Sequence, residues 1–338
     1  MRTSFVFAAI LLMATTFSSS TTIGTPITST KAYPLAAKSS AIVTFITQVD
    51  KLRIRERPDL NAPVVAELPD QEYVRYLHET GGAPTEVTLR GIKQQGTWYK
   101  VAWPSYEDSG RKKVEGWVFS GGLSLANIEF SGDIATELNF DFLSGKKITK
   151  AQFDTQAALY KDHFHDDTKK YSSNKGPLKL PLDNGGVKVV GNAPCRIPPS
   201  KELEPESYQG QFPEYGWYLI GRQCNHAEIA DDWGYLVRKS DGKTEVEISE
   251  SIPPTIAPNG QNIGINFSED CGGVIGIDFF RLRHKQWSSF SITFDYPIKI
   301  EKLIWSPDSK YCLAKCSLYA DYQDDKTIDT HYYSISFP

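Results

Sequence analysis

Between Leu52 and Leu123 the chain is cut into apolar runs too brief for helices: Leu52-Arg53-Ile54-Arg55, Pro63-Val64-Val65-Ala66-Glu67-Leu68, Tyr73-Val74-Arg75-Tyr76-Leu77, Trp98-Tyr99-Lys100-Val101 and Gly116-Trp117-Val118-Phe119. Segments rich in Gly, Pro, Asp and charge separate them. Short alternating runs at this spacing predict the strands of a small barrel. The expectation extends to the whole chain, because its 17 Tyr, 17 Phe and 7 Trp fall in similar short runs and long helical periods are few. A net charge of −4 gives no support for the strongly basic face that nucleic-acid binding needs, and that class is set aside.

The order of these pieces resembles the bacterial SH3 (SH3b) family, where an opening LxVRxxPs is followed by xVIxxL, xxVxVL, gxWYKV and a closing GWVxxxxL. Here they read Leu52-Arg53-Ile54-Arg55-Glu56-Arg57-Pro58, then the three middle runs, then Gly116-Trp117-Val118-Phe119-Ser120-Gly121-Gly122-Leu123. The resemblance implies an SH3-like barrel over residues 43–126. It also implies attachment to a ligand rather than a reaction, with peptidoglycan or an envelope protein as partner. Two loops depart from the family pattern: a hairpin-like insertion from His78 to Gly96 and a charged loop from Pro104 to Glu115. Trp98 and Trp117 match positions that are core in the family. Arg53, Arg55, Tyr99, Trp103 and Tyr106 are the candidate recognition residues, since Tyr and Trp offer large contact area at low entropic cost.

The 338 residues exceed one ordinary domain. Residues 1–20 read as a signal peptide: Arg2 precedes an apolar run from Phe5 to Ala14, too short to span a bilayer, and small polar residues follow. No Cys follows that run, which argues against a lipid anchor, and no later stretch is long and apolar enough for a transmembrane helix. Export to the periplasm or cell exterior is therefore expected. Residues 21–42, rich in Ser, Thr, Ala and Pro, read as a disordered spacer.

After the barrel, residues 127–177 read as a linker with one helix. Thr149 and Gln152 have capping-box spacing, and Phe153, Ala157, Ala158, Leu159 and Tyr160 supply an apolar face ending near His163. Residues 178–338 return to strands with a weak internal repeat, whose copies align on Pro213, Pro258 and Pro307, 45 and 49 residues apart. The third, Ser306-Pro307-Asp308-Ser309-Lys310-Tyr311, resembles the turn of TolB-type propeller blades. The fold class expected is thus mainly β: a small SH3-like barrel, a linking helix, and a meander or blade-repeat domain, whether compact or a small, incomplete propeller.

Five cysteines, Cys195, Cys224, Cys271, Cys312 and Cys316, lie in the C-terminal half. In an oxidising compartment four of them make two disulfides. The sequence does not choose the pairing; Cys195 with Cys224, and Cys271 with Cys312 or Cys316, is the expectation. Asp270-Cys271-Gly272-Gly273 resembles the nucleophile context of cell-wall cysteine peptidases, with His331 or His284 as the downstream base. A strand-like run follows Cys271 where such an enzyme needs a helix to lower the thiol pKa, so a structural cysteine is preferred. The cluster His163, His165, Asp166 and Asp167 matches no metal spacing. No catalytic residue, cofactor or metal is expected. A binding protein of the envelope is the favoured reading, with a cysteine peptidase and a periplasmic inhibitor or immunity-type protein as alternatives.

Overall fold

The computed structural model describes residues 41–105, 112–130, 138–140, 142–171, 177–194, 203–226, 229–248, 252–268, 275–283, 285–294, 298–319 and 327–336. It is mainly β, as expected, and residues from Lys38 onward form one compact unit. The first seven strands are β1 (Ala41–Thr47), β2 (Leu52–Arg55), β3 (Val64–Leu68), β4 (Tyr73–Leu89), β5 (Ile92–Trp103), β6 (Val114–Phe119) and β7 (Leu123–Phe130). Strand alternation works as the sequence suggests in β2, where Leu52 and Ile54 are buried while Arg53 is exposed.

These strands lie in the order β7-β1-β4-β5-β6-β2-β3 and do not close as a barrel. The reason is local. The start of β4 is hydrogen-bonded on one side to β5, with Arg75 opposite Ala102, and on the other to β1, with Phe45 opposite Val74. Strand β1 therefore occupies the edge that β3 would need for closure, and it is fastened there by Thr47, whose hydroxyl donates to the Pro69 carbonyl and accepts from Glu72 N–H. The insertion expected from His78 to Gly96 is an outward extension of β4 and β5. It ends in a two-residue turn at Arg90 and Gly91, both with positive φ, between the paired Leu89 and Ile92.

Next come β8 (Leu138–Phe140), β9 (Leu143–Ile148) and helix α1 (Lys150–Ala157). Both halves of the capping box form: Thr149 Oγ1 accepts from Gln152 N–H, and the Gln152 side chain accepts from Thr149 N–H. The helix stops at Ala157, well short of His163. Tyr160 is tied to Thr255 by a hydroxyl contact of 3.0 Å, and the chain then runs extended so that His165 exchanges two backbone hydrogen bonds with Gln211. In that extended stretch His163 pairs with Glu214, which also pairs with Lys161.

The remaining strands are β10 (Leu178–Pro181), β11 (Val187–Val190), β12 (Asn192–Pro194), β13 (Leu203–Phe212), β14 (Trp217–His226), β15 (Ile229–Arg238), β16 (Thr244–Ile248), β17 (Thr255–Ile256), β18 (Asn262–Ser268), β19 (Ile275–Arg283), β20 (Gln286–Phe294), β21 (Ile298–Trp305), β22 (Tyr311–Tyr319) and β23 (Thr327–Ser336). They form three antiparallel meanders: β12 to β16, β17 to β20, and β21 to β23, the last extended by β9 and β8. Pro213, Pro258 and Pro307 each fall in a turn between two strands of its meander, between β13 and β14, the two-residue β17 and β18, and β21 and β22. In the third turn Ser306 Oγ donates to Asp308, and Ser309 takes a positive φ of 61°.

The middle meander does not stand apart from strands β1 to β7. Strand β20 pairs in parallel with β7, Asn127 opposite Ser291 and Phe130 opposite Phe294, so a single sheet of eleven strands runs through both. The main core lies between this sheet and the β21–β22–β23–β9–β8 sheet, and includes Phe45, Ile128, Phe130, Phe279, Phe294, Trp305 and Tyr333. Phe153 of α1 covers the other face of that second sheet, against Ile304, Leu313 and Tyr332. The β12–β16 sheet is likewise covered twice, by β17–β19 through Trp217, Leu236 and Ile263, and by the β10–β11 hairpin through Leu180 and Val190.

Cys312 is a fully buried free thiol, and burial pushes its ionisation well up. The disulfide expected between Cys271 and either Cys312 or Cys316 is therefore not formed, because the main core has closed around both sulfurs. Cys316, four residues along β22, is also fully buried. Cys195 and Cys271 lie outside the described residues, as does the side chain of Cys224.

Candidate functional site

The strands of the SH3 segment position a cleft of about 370 Å³ between β2 and the tip of the β4–β5 hairpin. Four of its lining residues are basic, Lys51, Arg53, Arg55 and Arg90, and one, Asp50, is acidic. Leu60, Leu89 and Trp98 supply the apolar surface. Trp98 is almost completely buried and meets Phe119 edge-on, ring centroids 6.0 Å apart, so it is a fixed wall. Leu60, by contrast, is 41% exposed.

Each arginine is held differently. Arg55 Nη1 donates to the Ala62 carbonyl at 2.6 Å, which braces the loop from Glu56 to Pro63. Arg53 faces its cross-strand neighbour Glu67 at 3.1 Å, with both side chains about half exposed. A pair of that kind contributes at most about 1 kcal/mol, so a ligand carboxylate competes for the guanidinium. Arg90 reaches back to Asp70 at 2.5 Å, also on the surface.

The hairpin can lie close over Trp98 because Gly82 lacks a side chain. Its φ is +73°, and a Cβ there would sit 2.6 Å from Trp98 Cδ1 and 2.7 Å from the Pro58 carbonyl oxygen.

The five candidate recognition residues are not gathered in one place. Arg53 and Arg55 line the cleft. Tyr99 points to the other face of β5 and is buried among aromatic rings, stacked on Phe45 at 5.3 Å and meeting Tyr76 and Phe142 at 5.3 and 6.1 Å. Trp103 is half-buried and packs against the main core. Tyr106 lies outside the described residues. Lys51 and Arg90 were not singled out from the sequence, although both stand at turns with positive φ, where a charged side chain is carried outward.

His331 is buried in β23, with Nε2 2.8 Å from Asp329 Oδ2 and Nδ1 3.0 Å from the Tyr333 hydroxyl. The Asp329 carboxyl is held below its ordinary value, first by the Thr330 backbone N–H and then by His331. Cys271 and His284 lie outside the described residues.

Residues 50–124 match the family model of the bacterial SH3 domain. No curated protein matches the chain, and no solved structure does.

Proposed function

We propose, from the bacterial SH3 segment at residues 50–124, that this chain is an exported, non-enzymatic binding protein of the cell envelope whose β2–hairpin cleft takes an acidic cell-wall ligand. The observation that carries this reading is the cleft's lining: four basic side chains around a wall of Trp98, Leu60 and Leu89. Such a lining suits peptidoglycan, which offers carboxylates on short peptides beside sugar faces. The exposed Leu60 gives apolar contact beside the buried Trp98, and guanidinium forks give directional grip on carboxylates. Export is supported by Arg2 and the apolar run from Phe5 to Ala14. The non-enzymatic part is supported by strand β19, which begins at Ile275, just after Cys271, where a cysteine nucleophile would need a helix N-terminus.

The test is cosedimentation of the purified chain with isolated sacculi over a salt series. Binding that weakens as salt rises supports the reading, since partly exposed charge pairs are screened. A chain that stays in the supernatant at low salt overturns it.

A further inference from the structure

A cleft of about 480 Å³ lies between helix α1 and the β21–β22 turn, on the face of the β21–β22–β23–β9–β8 sheet that the main core does not use. It exists because α1, only eight residues long, covers part of that face, through Phe153 on Ile304, Leu313 and Tyr332. One cross-strand row on this face runs Ile304, Leu313, Ser334 and Lys146 over β21, β22, β23 and β9. It turns from apolar to polar along its length, and its last three residues floor the cleft. Tyr311, two residues before Leu313 and so on the same face, joins them and is 42% exposed.

Both walls are held in place by bonds of their own. Gln152 and Gln156 stand one turn apart on the flank of α1. The capping box fixes Gln152 by its carbonyl oxygen, which accepts from Thr149 N–H, and leaves its amide N–H groups to donate. Across the cleft, Ser306 Oγ donates to Asp308 and accepts from Tyr311 N–H at 3.0 Å, which sets the turn. The charges differ in their partners. Asp308 has Lys310 at 3.5 Å, whereas Lys146 is exposed and, among the described residues, makes no ion pair.

We propose that this cleft is a second ligand site, and that it takes an acidic sugar, a ring with neighbouring hydroxyls and one carboxylate. A sugar ring has an apolar C–H face, for which Tyr311 and Leu313 supply the floor. Its hydroxyls each need a donor and an acceptor; the Gln156 amide and the Ser334 hydroxyl offer both, and Gln152 donates. The carboxylate goes to Lys146, in a charge-assisted bond about twice as strong as a neutral one. A flat aromatic acid would leave the amides and hydroxyls of the walls without partners, which disfavours it. The volume suits one or two sugar rings. This site is independent of the wall-binding cleft, with which it shares no lining residue.

The test is a ligand-observed magnetic-resonance titration of the full chain with methyl glucuronide, beside the neutral methyl glucoside and cyclohexanecarboxylic acid, which keeps the carboxylate but has no hydroxyls. Saturable binding of the glucuronide is expected, with both comparison compounds about tenfold weaker or more, the effect of losing one charged or several neutral hydrogen bonds. Lys146→Gln, at an exposed position, should bring the glucuronide down to the level of the glucoside and leave the glucoside unchanged. Tyr311→Ala should weaken both sugars. No saturable binding of the glucuronide, a glucoside or a cyclohexanecarboxylate that binds as well, or a Lys146→Gln variant that binds the glucuronide like the parent would each overturn the proposal. The comparison of the three compounds needs no variant, so it stands even if Tyr311→Ala does not fold.

Discussion

Phe130 of β7 lies on Phe294 of β20, ring centroids 5.8 Å apart and ring planes 22° apart, at the parallel pairing that joins the SH3 segment to the middle meander. Both rings are essentially inaccessible to solvent. The seam is therefore core on the inside and backbone ladder along its length. Truncating Phe294 to Ala should cost about 3 to 5 kcal/mol. In urea, with tryptophan fluorescence and far-ultraviolet dichroism as separate probes, the parent should unfold in one transition; two separated transitions would contradict the shared core.

The close approach of the hairpin to Trp98 yields a paired prediction. Gly82 and Gly91 both have positive φ, +73° and +79°, but only at Gly82 does an added Cβ collide, while at Gly91 nothing lies within 4 Å. Gly91→Ala should cost only the left-handed backbone penalty, about 1 kcal/mol. Gly82→Ala should cost clearly more, about 3 kcal/mol, because Trp98 and Pro58 must also move. Equal shifts in urea midpoint would show that the hairpin does not lie where described.

Acid sensitivity should trace to Glu206. Burial opposes its charge, yet bonds from Arg222, Tyr235 and the Gly191 N–H outweigh that and hold its carboxyl below the ordinary value. A depressed folded value means that the stabilisation is complete above the unfolded glutamate value of about 4.3 and is lost as pH falls through the lower folded value. Glu206→Ala should cost about 3 kcal/mol at neutral pH, since it strands the mostly buried Arg222. It should also flatten the fall of stability below pH 4.3. An unchanged acid limb would place that sensitivity elsewhere.

Cys312 should be silent in the native protein. Its thiol is fully buried and its ionisation is pushed up, so the reactive thiolate is scarce and shielded. Iodoacetamide should label Cys312 only in denaturant, as read by peptide mass mapping. Rapid native labelling at this position would contradict the packing of β22.

Much of the local structure was legible because it is local. Leu52 and Ile54 alternate with Arg53 over four residues, Thr149 and Gln152 carry the whole capping box, and the turn at Pro307 and Asp308 needs only its own side chains. Tyr99 was not legible: alternation sends it to the opposite face from Trp98, which suggested exposure, but Phe45 and Phe142 from distant strands cover that face too. The replacement of β3 by β1 beside β4 depends on which of two strands reaches one edge, and no spacing encodes that. The parallel pairing of β20 with β7 joins residues more than a hundred and sixty positions apart, as in Ser291 with Asn127, and no local pattern encodes it.

The central claim is that the basic cleft of the SH3 segment holds the wall ligand, and Arg53 and Arg90 test it most directly, because both are exposed and, among the described residues, pair with the surface carboxylates Glu67 and Asp70. The Arg53→Gln, Arg90→Gln double variant should fold as the parent does. The measurement is its dissociation constant for isolated sacculi at low salt, beside that of the parent. A loss of about tenfold or more is expected, with a shallower dependence on salt, for the removal of two charged contacts. Identical binding by the double variant and the parent would contradict the account.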